Sequence, residues 1–356
     1  MEHPRRLPQL DRPRCQFVLS FLGFCVVVGM AFRGGGGGAA AAPAGSNAEM
    51  GRGGGAGLEH HSARSTTGNN VVNQAMKTVK LPDVRPLPIQ PYASLEIPAN
   101  VEPSGLVKSR LWEDVYWAHN DSGDIPRIFA VHRDGRIYPC ERYGAAHGVH
   151  IPDAVNVDWE DITTDDQGNL IIADFGNSAK NDRRDLCLYW IFEPHPSVGQ
   201  TSVQRKVFFA YPDQKEFPAS IRNFDAEAIF YAHDHVYILT KHRSDTGTTL
   251  YRLDSMEPFK VNVLTKLDSF DTQGQVTGAD ASPDGRRLAV LTYVGVWLFE
   301  APAKERWFDG SIRWRPTEDV EAEAIAIDGE HLIVSAGEGD GDLYDFPISS
   351  LIQVRK

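Results

Sequence analysis

The chain has 356 residues, a formal net charge of −12, four cysteines, and 42% hydrophobic and 24% charged residues. This composition is typical of a soluble globular protein and excludes a collagen, a disulfide-dense miniprotein and a mostly disordered chain. The acidic balance argues against nucleic acid as a partner, because phosphate backbones need Lys and Arg to neutralise them.

The first 33 residues have the pattern of an export signal. Several arginines near the start precede an apolar run over residues 17–32, which is the order of a charged region and a hydrophobic region in such signals. Two outcomes stay open: the segment is cleaved, or it anchors the protein in the membrane with its arginines inside the cell. In either case we expect an exported protein that is secreted, periplasmic or held at the outer face of the cytoplasmic membrane.

A flexible linker is predicted over residues 34–84. It is rich in Gly and Ala at first and polar afterwards, so it offers no side chains for a packed core. Residues 85–356 are predicted to form one domain, which we expect to be monomeric. Export permits a disulfide between Cys140 and Cys187 in this domain, and two buried thiols are equally consistent with the sequence.

The rest of the chain repeats itself with a period of about fifty residues. Related short stretches open the repeats at residues 102–106, 158–162, 225–229, 276–280 and 321–325. A turn and an apolar run follow each opening, and then a third run over 127–132, 186–192, 249–254, 296–300 and 343–348. A fourth, more polar run closes the first four repeats, for example over 136–142 and 260–267. Four antiparallel strands at this period predict an all-β fold, a β-propeller with four-stranded blades.

The number of blades follows from the two ends of the repeat array. The last repeat stops after its third predicted strand, and residues 92–98, just before the first repeat, have the pattern of a strand. Such a strand would complete the last blade, close the ring and cover a sheet edge. We therefore predict five blades, and a sixth stays open as an alternative if the long second repeat contains a further unit.

The repeats place polar residues on the propeller axis. The first strand of each blade lines the axis, so one marker residue from each opening stretch meets the others there: Ser104, Glu160, Glu227, Thr277 and Glu323. Three carboxylates brought together cannot all stay ionised without a counter-charge. A hard cation bound by oxygen ligands would supply that counter-charge, and Ca²⁺ suits such a ring. The alternative is that these residues bond to water and backbone, with the carboxylates partly protonated.

The loops between second and third strands lie on the same face and supply the candidate substrate-binding residues. These are Asn120, Asp121, Asp124, Arg127, Asp174, Asn177, Arg183, Lys241, Arg243 and Glu338. Acidic groups at the axis with basic groups at the rim suit an anion that bridges a metal and cations, phosphate being the natural candidate. The alternative is that Asn, Asp and Gly only form turns, and that Arg127 and Lys241 pair with nearby acids.

Three motifs carry a resemblance to known proteins. His-Asn-Asp-Ser-Gly-Asp at 119–124, Asp-Trp-Glu-Asp at 158–161 and Asp-Ala-Glu-Ala-Ile at 225–229 resemble a group of exported bacterial β-propeller proteins. The order hydroxyl, Glu, Glu, hydroxyl, Glu around the ring is also similar to that of calcium-activated nucleotidases (apyrases), five-bladed propellers with a central calcium that hydrolyse nucleoside diphosphates. The resemblance implies that the five axial residues coordinate calcium directly or through water. Thr277 stands where that pattern has Ser, and that family's substrate-binding residues have no recognisable match.

Two functions from different classes follow. The first is a metal-dependent hydrolase of a phosphorylated or other anionic substrate, with Glu160 or Asp158 as the candidate general base. Arg183, Lys241 and Arg243 would offset the developing negative charge. The second is a non-catalytic propeller, tethered to the cell surface by the linker, that binds a glycan or a protein through the same face.

Overall fold

The structure is a computed structural model. It describes residues 75–86, 90–98, 102–140, 142–178, 180–318, 321–337 and 341–356. These residues belong to one compact unit, Asn69–Lys356. The predicted signal segment and most of the predicted linker lie outside the described residues.

Among the described residues, no helix is long and apolar enough to cross a membrane.

The strands form five sheets, which are the blades. The first strand along the chain, β1 (Ala93–Ser94), belongs to the fifth blade. Blade 1 contains β2 (Pro103–Lys108), β3 (Tyr116–Asn120), β4 (Arg127–Val131) and β5 (Val149–His150). Blade 2 contains β6 (Trp159–Thr164), β7 (Asn169–Asp174), β8 (Cys187–Phe192) and β9 (Val203–Ala210). Blade 3 contains β10 (Asp225–Ala232), β11 (His235–Lys241), β12 (Gly247–Leu253) and β14 (Thr265–Asp271). β13 (Val261–Val263) lies between β12 and β14 in the chain but belongs to the sheet of blade 2.

The last two blades follow the same order. Blade 4 contains β15 (Val276–Ala281), β16 (Arg287–Thr292), β17 (Gly295–Glu300) and β18 (Ser311–Pro316). Blade 5 contains β19 (Ala322–Asp328), β20 (His331–Ala336) and β21 (Asp342–Pro347), and β22 (Ile352–Arg355) returns to blade 4. Short 3-10 helices occur at Ala145–His147, Trp307–Asp309 and Ile348–Ser350.

The ring is a five-bladed β-propeller, and it closes as predicted. β1 pairs antiparallel with β21, with Ala93 opposite Leu343, so a strand from before the first repeat completes the last blade. The inner strands β2, β6, β10, β15 and β19 contact one another in sequence around the axis. The described residues form no sixth blade.

Two predicted outer strands were wrong. In blade 1, the described residues of 136–142 form no strand but two isolated bridges, from Ile137 to Val131 and from Cys140 to Gly144, and β5 takes the outer position instead. β5 can approach β4 closely because a Cβ at Gly148 would lie 2.9 Å from the Ile128 carbonyl oxygen.

The second wrong prediction, over 260–267, joined two strands that belong to different blades. β13 pairs in parallel with β9 of blade 2, and β14 closes blade 3. β13 thereby covers the outer edge of blade 2, β22 does the same for blade 4, and Lys77 pairs beside Phe270 at the edge of blade 3. Covered edges prevent pairing with other chains.

Apolar clusters fill the spaces between neighbouring blades, and their largest side chains are fully buried aromatics. Trp297, Trp307 and Trp314 pack in the cluster between blades 3 and 4. Cys140 and Cys187 are buried free thiols, which agrees with the alternative of two unpaired cysteines.

One irregularity recurs in every blade and positions the site. The pairing between the inner and second strands skips one residue of each inner strand, which forms a β-bulge at Ser104, Glu160, Glu227, Thr277 and Glu323. A bulge re-aims the side chain of the extra residue. The five residues predicted to lie on the axis are therefore the five bulge residues.

Candidate functional site

A cavity of about 330 Å³ opens at the end of the axis where the bulges lie, and we call it the axial cavity. Its lining residues are Glu102, Pro103, Ser104, Asp121, Ser122, Asp158, Glu160, Ser178, Glu227, Lys241, Arg243, Tyr293, Glu323 and Gly337. Six of these described residues are acids and two are cations. The cavity is therefore an acidic environment, although its charge is unevenly distributed.

Three carboxylates form what we call the acidic half. Oxygen atoms of Asp121, Asp158 and Glu160 all lie within 4.8 Å of one another. Within the part of the chain that the structure describes, no hydrogen bond reaches the carboxylate of Asp158 or Glu160. Their approach depends on Gly176, where a Cβ would lie 2.0 Å from Glu160 Oε1 and 2.4 Å from Asp158 Oδ2.

Each carboxyl group of the acidic half has a raised pKa. Burial is the main cause for Asp158, whose pKa rises to about 6, and the charge of Asp121 adds to it. Burial and then the charge of Glu227 raise the pKa of Glu160 well above its usual range. Burial also raises the pKa of Asp121. These carboxylates need either a proton or a cation to lie so close together.

Glu227 and Glu323 form what we call the neutralised half of the cavity. Glu227 Oε1 lies 3.1 Å from Lys241 Nζ and 3.0 Å from Arg243 Nη2. Lys241 Nζ also donates to the Tyr293 hydroxyl at 2.9 Å, and that hydroxyl donates to Glu323 Oε1 at 2.8 Å. Lys241 is buried, and the charge of Glu227 raises its pKa against the effect of desolvation. Each carboxylate here has its own partner.

The hydroxyls of the ring bond to backbone. Ser104 Oγ donates to the Glu160 carbonyl oxygen at 2.6 Å, and Thr277 Oγ1 donates to the Ala322 carbonyl oxygen at 2.7 Å. Both bonds join neighbouring inner strands. Both hydroxyls thus bond to backbone, as in the alternative given for the ring residues. Ser104 lines the axial cavity and Thr277 does not.

Two further acids join the inner strands deeper along the axis. Asp161 Oδ2 accepts from the Ile229 N–H at 2.9 Å, and Asp280 Oδ2 accepts from the Ile327 N–H at 2.8 Å. Inner strands do not pair with one another, so these N–H groups would otherwise be buried without a partner. Both acids belong to the repeated opening stretches, which is the only sequence signal for them.

Five of the predicted rim residues pair among themselves. Arg127 Nε donates to Asp124 Oδ2 at 2.8 Å, and Asn120 Nδ2 donates to the same oxygen at 2.7 Å. Arg183 Nη2 donates to Asp174 Oδ1 at 2.9 Å. None of these five residues lines the axial cavity. Arg127 pairs with a nearby acid, as in the alternative, and Lys241 does so with Glu227.

The other loop predictions divide as follows. Asn177 Oδ1 accepts from the Arg183 N–H at 3.1 Å and therefore shapes its loop, whereas Asp121, Lys241 and Arg243 do line the cavity. Glu338 lies outside the described residues. Sequence reasoning missed Tyr293 as a site residue, although it occupies the corresponding loop of the fourth repeat.

No family model and no curated protein matches this chain. Among solved structures, it is similar to a gluconolactonase from Xanthomonas campestris, at 14% identity over 77% of this chain and 98% of that one, with a TM-score of 0.39. An inactive variant of virginiamycin B lyase from Staphylococcus aureus matches at 15% identity over 68% of this chain and 64% of that one, with a TM-score of 0.35. A chain of a nidogen/laminin complex matches at 11% identity over 66% and 72%, with a TM-score of 0.34.

At this level of similarity, the comparisons carry no argument about the chemistry of the axial cavity. The motif resemblance to exported bacterial propellers and to calcium-activated nucleotidases finds no family match and stays a prediction.

Proposed function

We propose that the protein is a divalent-cation-dependent hydrolase whose centre is the acidic half of the axial cavity, with Ca²⁺ as the cation. One observation carries the proposal: Asp158 and Glu160 lie together with Asp121, and no hydrogen bond from a described residue offsets the charge of the first two. In the neutralised half, by contrast, Lys241 and Arg243 already compensate Glu227.

The residues present fit a hard cation. The acidic half offers carboxylate oxygens, which suit Ca²⁺ and Mg²⁺, whereas zinc sites favour His and Cys. Ser104 and Glu102 line the same cavity and could contribute further oxygen atoms. Export, as residues 1–33 predict, would place the site in millimolar calcium, where extracellular calcium modules work.

The substrate would be a small phosphorylated or other anionic molecule in the axial cavity. A bound cation would offset the negative charge of the substrate and of its reaction. Lys241 and Arg243 also line the cavity, where they limit the net negative charge that an anion meets.

Within this proposal, Glu160 and Asp121 hold the cation and Asp158 takes a proton from the attacking water. A general base works best when its pKa lies near the working pH, and burial raises the pKa of Asp158 to about 6. Asp158 therefore has the most suitable proton affinity for this role.

Thermal unfolding of the full chain, before and after chelation, tests the cation. A cation at a hundred times its dissociation constant stabilises the folded state by about 2.7 kcal/mol, which corresponds to a rise in Tm of roughly 5–10 °C. We expect Ca²⁺ to produce this rise in the chelated protein and Glu160→Gln to abolish it. Glu330→Gln is the matched control and should retain the rise, because Glu330 lies in the turn after β19 and does not line the axial cavity.

A panel of phosphate esters and nucleotides then tests the chemistry. We expect turnover that requires the cation and that Asp158→Asn lowers by about 10²–10⁴. The absence of any cation effect on Tm would overturn the proposed centre. A cation effect with saturable binding of a glycan or protein and no turnover would instead support the non-catalytic alternative.

A further inference from the structure

A chain of hydrogen bonds outside the axial cavity has the composition of a catalytic triad. His242 Nδ1 lies 2.6 Å from Asp245 Oδ1, and His242 Nε2 lies 3.2 Å from Thr249 Oγ1. The three residues come from one hairpin: His242 follows β11, Asp245 lies in the connecting loop, and Thr249 is on β12.

The surroundings of Asp245 fix the direction of these bonds. The Gly247 N–H donates to Asp245 Oδ1 at 2.8 Å, and Asn223 Nδ2 donates to Asp245 Oδ2 at 2.8 Å. An ionised carboxylate only accepts hydrogen bonds, and Asp245 Oδ1 lies closer to His242 Nδ1 than Asn223 Nδ2 does, at 2.6 Å against 3.1 Å. We therefore assign the His242 proton to Nδ1. Nε2 is then the acceptor for the Thr249 hydroxyl. This is the order of nucleophile, base and orienting acid.

The hydroxyl and its base lie at the wall of a second cavity. This peripheral cavity has a volume of about 420 Å³ and shares none of its described lining residues with the axial cavity. Its wall includes His242 and Thr249, an apolar part formed by Ala219 and Phe224, and the cation of Lys266. Cavities of this size hold small molecules.

The hairpin does not need the His242–Thr249 bond for its register. The Thr249 N–H donates to Thr240 Oγ1 at 3.0 Å, and the Asp245 turn is held by Gly247 and Asn223. Burial lowers the pKa of His242, against the opposing effect of Asp245. The imidazole is therefore neutral near pH 7, as a general base must be.

We propose that Thr249, His242 and Asp245 form a second hydrolytic site, independent of any cation, that acts on esters with small apolar acyl groups. Thr249 Oγ1 would attack the carbonyl carbon while its proton passes to His242 Nε2. The bond from the carbonyl carbon to the alcohol oxygen breaks, and the alcohol leaves with that proton. Water, deprotonated by His242, then cleaves the acyl-threonine ester, which releases the acid and restores the hydroxyl.

The test uses the full chain with a chelator present, which separates this site from the cation-dependent one. The probes are p-nitrophenyl acetate and an alkyl fluorophosphonate, with peptide mass spectrometry to locate the adduct. We expect an adduct on Thr249 and ester turnover. Thr249→Val should abolish both, His242→Gln should lower both by about 10²–10⁴, and Thr249→Ser should retain them.

Thr248→Val is the matched control. Thr248 is the neighbouring residue, and its buried hydroxyl has no hydrogen-bond partner among the described residues, so the change removes the same group without touching the triad. This variant should label like the wild type. A folded wild-type protein with no adduct on Thr249, or labelling that His242→Gln leaves unchanged, would overturn the proposal.

Discussion

The acidic half and the neutralised half of the axial cavity are built from the same repeated position in the blades. Glu160 and Glu227 both occupy the bulge of an inner strand, and both are buried. The end of β11 and the loop after it bring Lys241 and Arg243 to Glu227, whereas the loop after β7 brings Gly176 to Glu160. The repeat decides where a carboxylate lies, and the loop of the same blade decides whether its charge is compensated.

Removal of Lys241 should have the largest effect on the difference between the two halves. Lys241→Met leaves Glu227 with Arg243 alone and removes the donor to Tyr293. Loss of one partner from a buried ion pair costs about 3–5 kcal/mol, so we expect a loss of about 3 kcal/mol in the free energy of unfolding. Urea denaturation of the chelated protein at neutral pH measures it.

The matching change in the acidic half should have the opposite sign. Glu160→Gln removes a buried carboxyl group whose ionisation no counter-charge offsets, so it should raise the free energy of unfolding of the chelated protein. Equal destabilisation by both variants would mean that the two halves do not differ in electrostatic balance.

A methyl group at Gly176 should disturb the acidic half alone. In Gly176→Ala the new Cβ would displace Glu160 Oε1 and Asp158 Oδ2, which are the free ends of their side chains. The fold can tolerate such a shift, but a cation site cannot. Because changes to groups that support metal ligands weaken binding by about 10–100-fold, we expect that loss in calcium affinity by calorimetry. Unchanged affinity would place the cation elsewhere.

The acidic half should also make cation binding depend on pH. The pKa of Asp158 rises from 3.8 to about 6, mainly through burial, so a proton competes with the cation below that pH. Between pH 5 and pH 7, calcium affinity should increase about tenfold. Without the cation, the stability of the protein should change with pH in the opposite direction. The folded state binds the proton of Asp158 more tightly than the unfolded state does, so the free energy of unfolding falls as pH rises from about 4 to 6.

Asp158→Asn is the variant that isolates this dependence. It should flatten stability between pH 4 and pH 6, because the titrating group whose pKa is raised in the folded state is gone. An unchanged pH profile in this variant would assign the titration to another carboxylate.

The fold could be predicted further than the site because it follows from local pattern. Glu227 and its counterparts occupy matching positions in related short stretches, and the period of these stretches indicates blades around an axis. The pattern failed where strands change partner: β13 reads as part of blade 3 but pairs with blade 2. Alternation of side chains sets the faces of a strand and says nothing about its neighbours.

The site could be predicted only in its positions. The sequence predicts the axial residues but not Tyr293. The role of Tyr293 depends on its contacts with Lys241 and Glu323, which lie across two blade boundaries. Arg127 was placed at the rim as a substrate ligand, and Asp124, three residues before it, takes its guanidinium. Pairing among loop side chains depends on loop conformation, which spacing does not determine.

The smallest effect should come from the ring hydroxyls, which join neighbouring inner strands by hydrogen bonds to backbone. Thr277→Val removes the donor to the Ala322 carbonyl oxygen, and a buried hydrogen bond contributes about 1 kcal/mol. We expect that loss of stability with calcium affinity unchanged, because Thr277 does not line the axial cavity. Ser104→Ala should lose a similar amount, and it also alters the wall beside Glu160. A loss of calcium affinity in Thr277→Val itself would show that the cation lies on the axis, bound by all five bulge residues, rather than in the acidic half.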